Sequence, residues 1–218
     1  MPGRPVALGA RRPFERDHGP RWRPQVALTF DDGPGPLTPA VLDVLAEQGA
    51  TATFFVRGSQ VNGQEEVLRR ALDEGHLLGN HSWSHPDLAR VPGAEAAEEL
   101  RRTTEAIRDA TGLHTCLFRP PFGSSSRELV NLAAAQGLMT IGWDISTRDW
   151  EGAGSDQDEI LDRAVRGARR GSILLMHDGG EERTALLAAL PGIVGGLRAR
   201  GFSTVALDGL LSLRIDRE

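Results

Sequence analysis

From residue 25 onward, short apolar runs rich in β-branched and aromatic residues alternate with longer stretches whose apolar positions recur at helical spacing. The short runs are expected as strands near Val26–Phe30, Ala52–Val56, Leu77–Asn80, Thr115–Phe118, Met139–Trp143, Ile173–Met176 and Phe202–Val205. The stretches between them are expected as helices, several with recognisable ends. Thr38-Pro39 reads as an N-cap followed by proline at the first helical position, and Gly49 closes that helix. Gly75, Gly112, Gly137 and Gly201 occupy the stop positions of later helices, and a last helix is expected at Gly209–Leu213. Residues 1–24 are rich in arginine and proline, lack apolar periodicity and are expected to form a poorly ordered arm. Residues 25–218 are then one domain.

Seven strands alternating with helices predict an α/β fold with a parallel sheet covered by helices, closed as a barrel or open and doubly wound. In either case functional groups gather at the carboxyl ends of the strands. The sequence meets that test. Asp31 and Asp32 follow the first run, His81 the third and Arg119 the fourth, Asp149 lies in the loop after the fifth, and His177 follows the sixth.

Composition narrows the chemistry. The chain has 218 residues, enough for one domain, with a net charge of −5 that gives no reason to expect nucleic acid or an anionic membrane as partner. It contains no lysine and no tyrosine, which excludes a Schiff-base lysine or a tyrosine acid. Cys116 is the only cysteine, so neither an intrachain disulfide nor a Cys-rich metal site can form. No run approaches the roughly 18 apolar residues of a membrane span. As written, the N-terminus is not a signal peptide, so the expected location is cytoplasmic, or extracellular or in the cell envelope if a leader was removed.

Four segments carry candidate chemistry. Thr29-Phe30-Asp31-Asp32-Gly33-Pro34 places adjacent carboxylates at the end of an apolar strand, where they point in different directions, although Asp-Gly and Gly-Pro also mark an ordinary turn. His81-Ser82-Trp83-Ser84-His85 sets two histidines four apart, a spacing that a helical turn would bring to one side as metal ligands; such a pair alone is more often core or surface. Two imidazoles and a strand-end carboxylate make a facial set that leaves positions open for water and substrate. Arg119-Pro120-Pro121-Phe122-Gly123 is a stiff turn that starts with a guanidinium, read either as a surface arginine in a βα loop or as a partner for one of the aspartates. Gly123 permits close approach or positive φ there. His177 ends the apolar strand Ile173-Leu174-Leu175-Met176, as a satisfied core histidine or as a general acid oriented by Asp149, with Trp150 as a groove wall.

Taken together and in this order, these segments, with Asp149-Trp150, resemble the polysaccharide deacetylase family, carbohydrate esterase family 4, which shares the rhizobial nodulation deacetylase domain. The likeness covers roughly residues 25–213. It implies a distorted (β/α)7 barrel and a hydrolase that removes N-acetyl groups from N-acetylglucosamine-containing glycans such as peptidoglycan or chitooligosaccharides. Residue by residue, it implies Asp31 as general base and Asp32, His81 and His85 as ligands of one divalent ion, zinc foremost, with cobalt, manganese or nickel as alternatives. Arg119 would tether Asp31, and Asp149 would tune the general acid His177. The Phe122 amide would donate to the oxyanion, and Trp150 and Leu175 would line the acetyl pocket. Two positions depart from the pattern: Ser146 stands where the fourth motif often begins with Asp or Asn, and Phe122 where the third often carries tyrosine. Open alternatives are an O-acetyl (xylan) esterase, a cytoplasmic deacetylase of a small N-acetylated glycoside, and a sugar-binding module without the chemistry.

Overall fold

The computed structural model describes residues 15–151, 156–180 and 184–214. Among these described residues nine strands form one parallel sheet: β1 (Glu15–Arg16), β2 (Gln25–Asp31), β3 (Ala52–Val56), β4 (Leu77–Asn80), β5 (Leu117–Phe118), β6 (Met139–Ile141), β7 (Ile145–Ser146), β8 (Ile173–His177) and β9 (Ser203–Val205). Their order is β1-β6-β5-β4-β3-β2-β8-β7, with β9 paired to the start of β2. The sheet curls into an incomplete barrel. Strand β2 runs through its middle and buries six of its seven residues. A strand buried on both faces is nearly continuous in apolar residues, as Val26-Ala27-Leu28-Thr29-Phe30 is apart from Thr29, whose hydroxyl donates to the Leu174 carbonyl.

Helices α1 (Thr38–Glu47), α2 (Glu65–Asp73), α3 (Gly93–Thr111), α4 (Arg127–Ala135), α5 (Gln157–Gly167), α6 (Thr184–Ala199) and α7 (Leu207–Leu211) cover the sheet. Each turns an apolar stripe inward, such as Val41, Leu42 and Leu45 on α1 or Ala96, Leu100, Ile107 and Ala110 on α3. One main core joins β2, β3, β4 and β8 to α1, α2 and α6, and a smaller cluster around Leu100, Phe118 and Leu129 lies between α3 and α4. No helix among the described residues is long and apolar enough to cross a membrane.

All seven expected strands are present, and the expected stop glycines at 49, 75, 112, 137 and 201 all have positive φ. Several details differ. Strands β1 and β7, two residues each, carry too few positions to show a period. Residues 15–24, expected in the arm, are built into the domain: β1 pairs with β6, His18 bridges to Ser172, and Arg21 meets Asp144 at 2.7 Å. The rest of the expected arm, residues 1–14, lies outside the described residues. Thr38 is not an N-cap; Leu37 holds that position, and the Thr38 hydroxyl instead accepts from the Gly35 amide and donates to Asp178. The last helix starts two residues earlier than expected, at Leu207, because the chain leaves β9 only one residue before it.

Candidate active site

The carboxyl ends of β2, β4, β5 and β8 converge on one mouth of the sheet. Asp31 is the last residue of β2 and Asp32 the first beyond it, with φ at 75°. That left-handed step sends the two carboxylates apart. Asp31 Oδ1 accepts from Arg119 at 2.8 Å, whereas Asp32 Oδ1 lies 3.2 Å from His85 Nε2 and 3.8 Å from His81 Nε2.

The two histidines do not share a helical turn. Residues 81–85 form an irregular loop in which Ser82 and His85 both have positive φ. Asn80 Oδ1 accepts from the Ser82 amide, and the Glu99 carboxylate of α3 accepts from the amides of Trp83 and Ser84 and from the Ser84 hydroxyl. These side chains do the work of the absent helix. The rings of His81 and His85 stand 5.1 Å apart between centroids. His81 Nδ1 donates to the Arg119 carbonyl at 2.8 Å, which leaves Nε2 as the free lone pair.

These groups fit a divalent ion. One ligand atom each from Asp32, His81 and His85 lies within 4.8 Å of the other two, a carboxylate and two imidazoles being a common donor set for zinc. Asp32 Oδ1 is buried and accepts no hydrogen bond, a state that costs free energy unless a cation shares it. Burial lowers the pKa of His81 to about 3 and also lowers that of His85, against the opposing charge of Asp32. Both rings are therefore neutral near pH 7, the form that binds metal.

Beside this trio lie the remaining predicted residues. Arg119 is fully buried, stacks 4.2 Å from the Phe55 ring, and donates to Asp31, Thr29 Oγ1 and the carbonyls of Ile141 and Gly142. Of the two readings of this arginine, the structure has the partner of an aspartate. Burial raises the pKa of Asp31 above the usual carboxylate value, although Arg119 and then His177 pull the other way. Asp31 Oδ2 is left facing His81 Nε2 at 3.8 Å.

His177 ends β8, in register with Asp31. Its Nδ1 donates to Asp149 Oδ1 at 3.0 Å and its amide donates to Asp149 Oδ2 at 2.9 Å. Burial disfavours the imidazolium, but the hydrogen bond and charge of Asp149, with Asp31 and Asp32, outweigh it and raise the pKa. Thr147 Oγ1 also approaches Asp149 Oδ1 at 3.0 Å, a buried contact with no sequence signal beyond proximity. Leu175 is buried in β8 two residues before His177. Trp150 sets its ring edge-on to His177 at 5.1 Å, and Phe122 does the same to His85 at 4.6 Å, so two exposed aromatics flank the site.

Phe122 has φ at 60° inside the 3₁₀ turn Pro121–Gly123. The amides of Gly123 and Ser124 close that turn onto Pro120 and Pro121, and the Phe122 amide donates to no acceptor among the described residues. Gly123 meets both conditions expected of it: φ is 64°, and an added Cβ would lie 2.6 Å from Trp143. Sequence reading gave no role to Thr29, Asn80, Glu99 or Thr147: Thr29 meets Arg119 from far along the chain, Asn80 and Glu99 act on backbone amides, and Thr147 meets its near neighbour Asp149 through a loop whose shape the sequence does not show.

The polysaccharide deacetylase sequence profile matches residues 18–141. A chitooligosaccharide deacetylase from Bradyrhizobium sp. (strain ANU 289) is 40% identical, over 85% of this chain and 90% of the relative. A Listeria monocytogenes peptidoglycan-N-acetylglucosamine deacetylase, PgdA, is 37% identical over 85% of this chain, which spans only 38% of that longer protein. The crystal structure of the Bc1960 peptidoglycan N-acetylglucosamine deacetylase superposes with a TM-score of 0.89 and 31% identity, covering 94% of this chain and 96% of that one. The chain belongs to the polysaccharide deacetylase family.

Proposed function

We propose that the protein hydrolyses the N-acetyl amide of N-acetylglucosamine units in a glycan, peptidoglycan or a chitooligosaccharide, with Asp31 as base and His177 as acid. The observation that carries this reading is the convergence of Asp32, His81 and His85 on one point, with Asp31 and His177 paired across β2 and β8 beside it. A divalent ion held by those three residues, zinc by the family likeness, would supply a Lewis acid for the acyl oxygen and make the attacking water more acidic.

The chain's own groups account for the rest. Asp31 Oδ1 is held by Arg119, so Oδ2 is the oxygen that takes the proton from water. Its raised pKa makes it a better base than an exposed aspartate. The uncommitted Phe122 amide donates to the oxygen that gains charge as the carbonyl carbon becomes tetrahedral. His177 keeps Nδ1 on Asp149 and delivers the Nε2 proton to the departing nitrogen. Without it an amide anion would have to leave, whereas an ester alkoxide leaves more readily. Leu175 and Trp150 bound the space for the acetyl methyl.

Acetate release from chitooligosaccharides, peptidoglycan, acetylxylan and small N-acetyl sugars tests the reading. Release from the first two is expected. Release from acetylxylan alone would replace it with an O-acetyl esterase, and release from small sugars alone with a deacetylase of small glycosides.

A further inference from the structure

Arg57 is a cation at the mouth of the sheet that takes no part in the mechanism. It is the first residue beyond β3 and keeps an extended backbone, with φ at −78° and ψ at 118°. Side chains alternate along an extended chain, so Arg57 projects on the face of Phe55, where the Phe55 ring meets Arg119. Its amide donates to the Gly33 carbonyl at 2.8 Å, and the next amide, of Gly58, donates to the Ser82 carbonyl at 3.0 Å. Arg57 therefore stands between the loop that carries Asp32 and the loop that carries His81 and His85.

The two arginines on this face are engaged differently. Arg119 is fully buried and commits its donors to Asp31, Thr29 and two carbonyls. Arg57 is half-buried, and among the described residues its guanidinium has neither an ion pair nor a hydrogen bond. Its Nε is buried without an acceptor, and a buried donor on a cation is costly until an acceptor meets it. The carboxylates of the site do not supply one: Asp31 is taken by Arg119, and Asp32 faces the two histidines. After burial and the opposing charge of Asp32, Arg57 is the next influence on the pKa of His85, which it lowers, so its charge reaches the site. The acceptor that remains is one brought by the substrate.

We propose that Arg57 is a specificity-determining residue whose guanidinium receives a carboxylate carried by the sugar next to the N-acetylglucosamine being deacetylated. The planar guanidinium matches a carboxylate with two parallel hydrogen bonds and stays charged at every working pH, whereas a neutral sugar hydroxyl is a weaker acceptor. This rests on the deacetylase reading above and separates its two glycans. Muramic acid, the alternate sugar of peptidoglycan, carries a lactyl carboxylate, and a chitooligosaccharide carries no such group. Arg57 thereby favours the muramic acid-containing strand.

Two peptide-free tetrasaccharides of alternating N-acetylglucosamine and N-acetylmuramic acid test this, one with free lactyl carboxylates and one with those groups converted to methylamides. They share length and acetyl groups and differ in charge. Acetate release by the metal-loaded parent should give a kcat/KM about 10-fold or more higher for the free acid, mainly through KM. In Arg57→Gln that ratio should fall to about 1, and in Arg57→Lys, which keeps the charge but not the planar fork, to a value between. A general loss of folded protein or bound metal acts on both glycans and cancels in the ratio. Equal kcat/KM for the two glycans in the parent would overturn the proposal, as would a ratio that Arg57→Gln leaves unchanged or release from chitotetraose alone. If the parent released acetate from none of the three, the deacetylase reading would fail, and titration of the same two tetrasaccharides would still decide on Arg57. Tighter binding of the free acid by the parent but not by Arg57→Gln would support the carboxylate site, and equal binding would overturn it.

Discussion

Two bonds from His177, one from Nδ1 and one from its amide, end on the two oxygens of Asp149, so a single carboxylate both orients the ring and favours its charged form. A group of raised pKa keeps its proton to higher pH, and the alkaline limb of the rate–pH profile therefore lies above the 6.5 of an unperturbed histidine. The acid limb follows Asp31 and lies above its ordinary 3.8. In Asp149→Asn the alkaline limb should shift to lower pH, with kcat reduced about 10²-fold or more. An unmoved limb in that variant would detach Asp149 from the acid. Asp178 offers a stability test on the metal-free protein. It is buried beside Gly33, accepts from Thr38 Oγ1 at 2.6 Å, and burial raises its pKa to about 7. The unfolded chain releases that proton near 3.8 while the folded chain holds it, so this contribution is complete below about pH 4 and is lost as pH rises through 7. Asp178→Asn should gain stability relative to the parent across that window in urea unfolding, and a constant difference would contradict the assignment.

At the level of elements, the site depends on β3 and β4 holding Phe55 under Arg119. Gly79 of β4 makes this possible, since an added Cβ would lie 2.6 Å from two carbons of the Phe55 ring. Gly79→Ala should cost about 1–3 kcal/mol by overpacking and lower the unfolding midpoint. The variant should also lose activity in the folded state, because the ring that moves is the one on which the guanidinium rests. Strand ends were legible in the sequence because each short apolar run stops abruptly at a polar residue, as at Asp31, Asn80 and His177. The shape of the loop at 81–85 was not. Its backbone amides are satisfied by Glu99, a residue of α3 whose place in Glu95-Ala96-Ala97-Glu98-Glu99 looks like any solvated helix face. Thr38 misled for a related reason: it has the residue type of a cap, but its hydroxyl is drawn to a carboxylate 140 positions away.

For the whole molecule, an ion held by Asp32, His81 and His85 would tie β2 to the loop after β4. Anything that binds the folded chain and not the unfolded one stabilises it by mass action, about 2.7 kcal/mol at 100 times Kd. A chelator should therefore lower Tm, and zinc should restore it in the parent protein but not in His85→Ala. An equal response in that variant would move the ion elsewhere. Segment 15–24 also belongs to this scale, because it joins the β6 side of the sheet to the residues before β8 through contacts that local periodicity does not encode.

The division of labour between neighbouring carboxylates is the central claim, and Asp31→Asn tests it most directly when bound metal and acetate release are measured on one preparation. The account predicts one ion per chain, as in the parent, with acetate release slowed by at least about 10²-fold. A fully loaded variant that released acetate at the parent rate would contradict it.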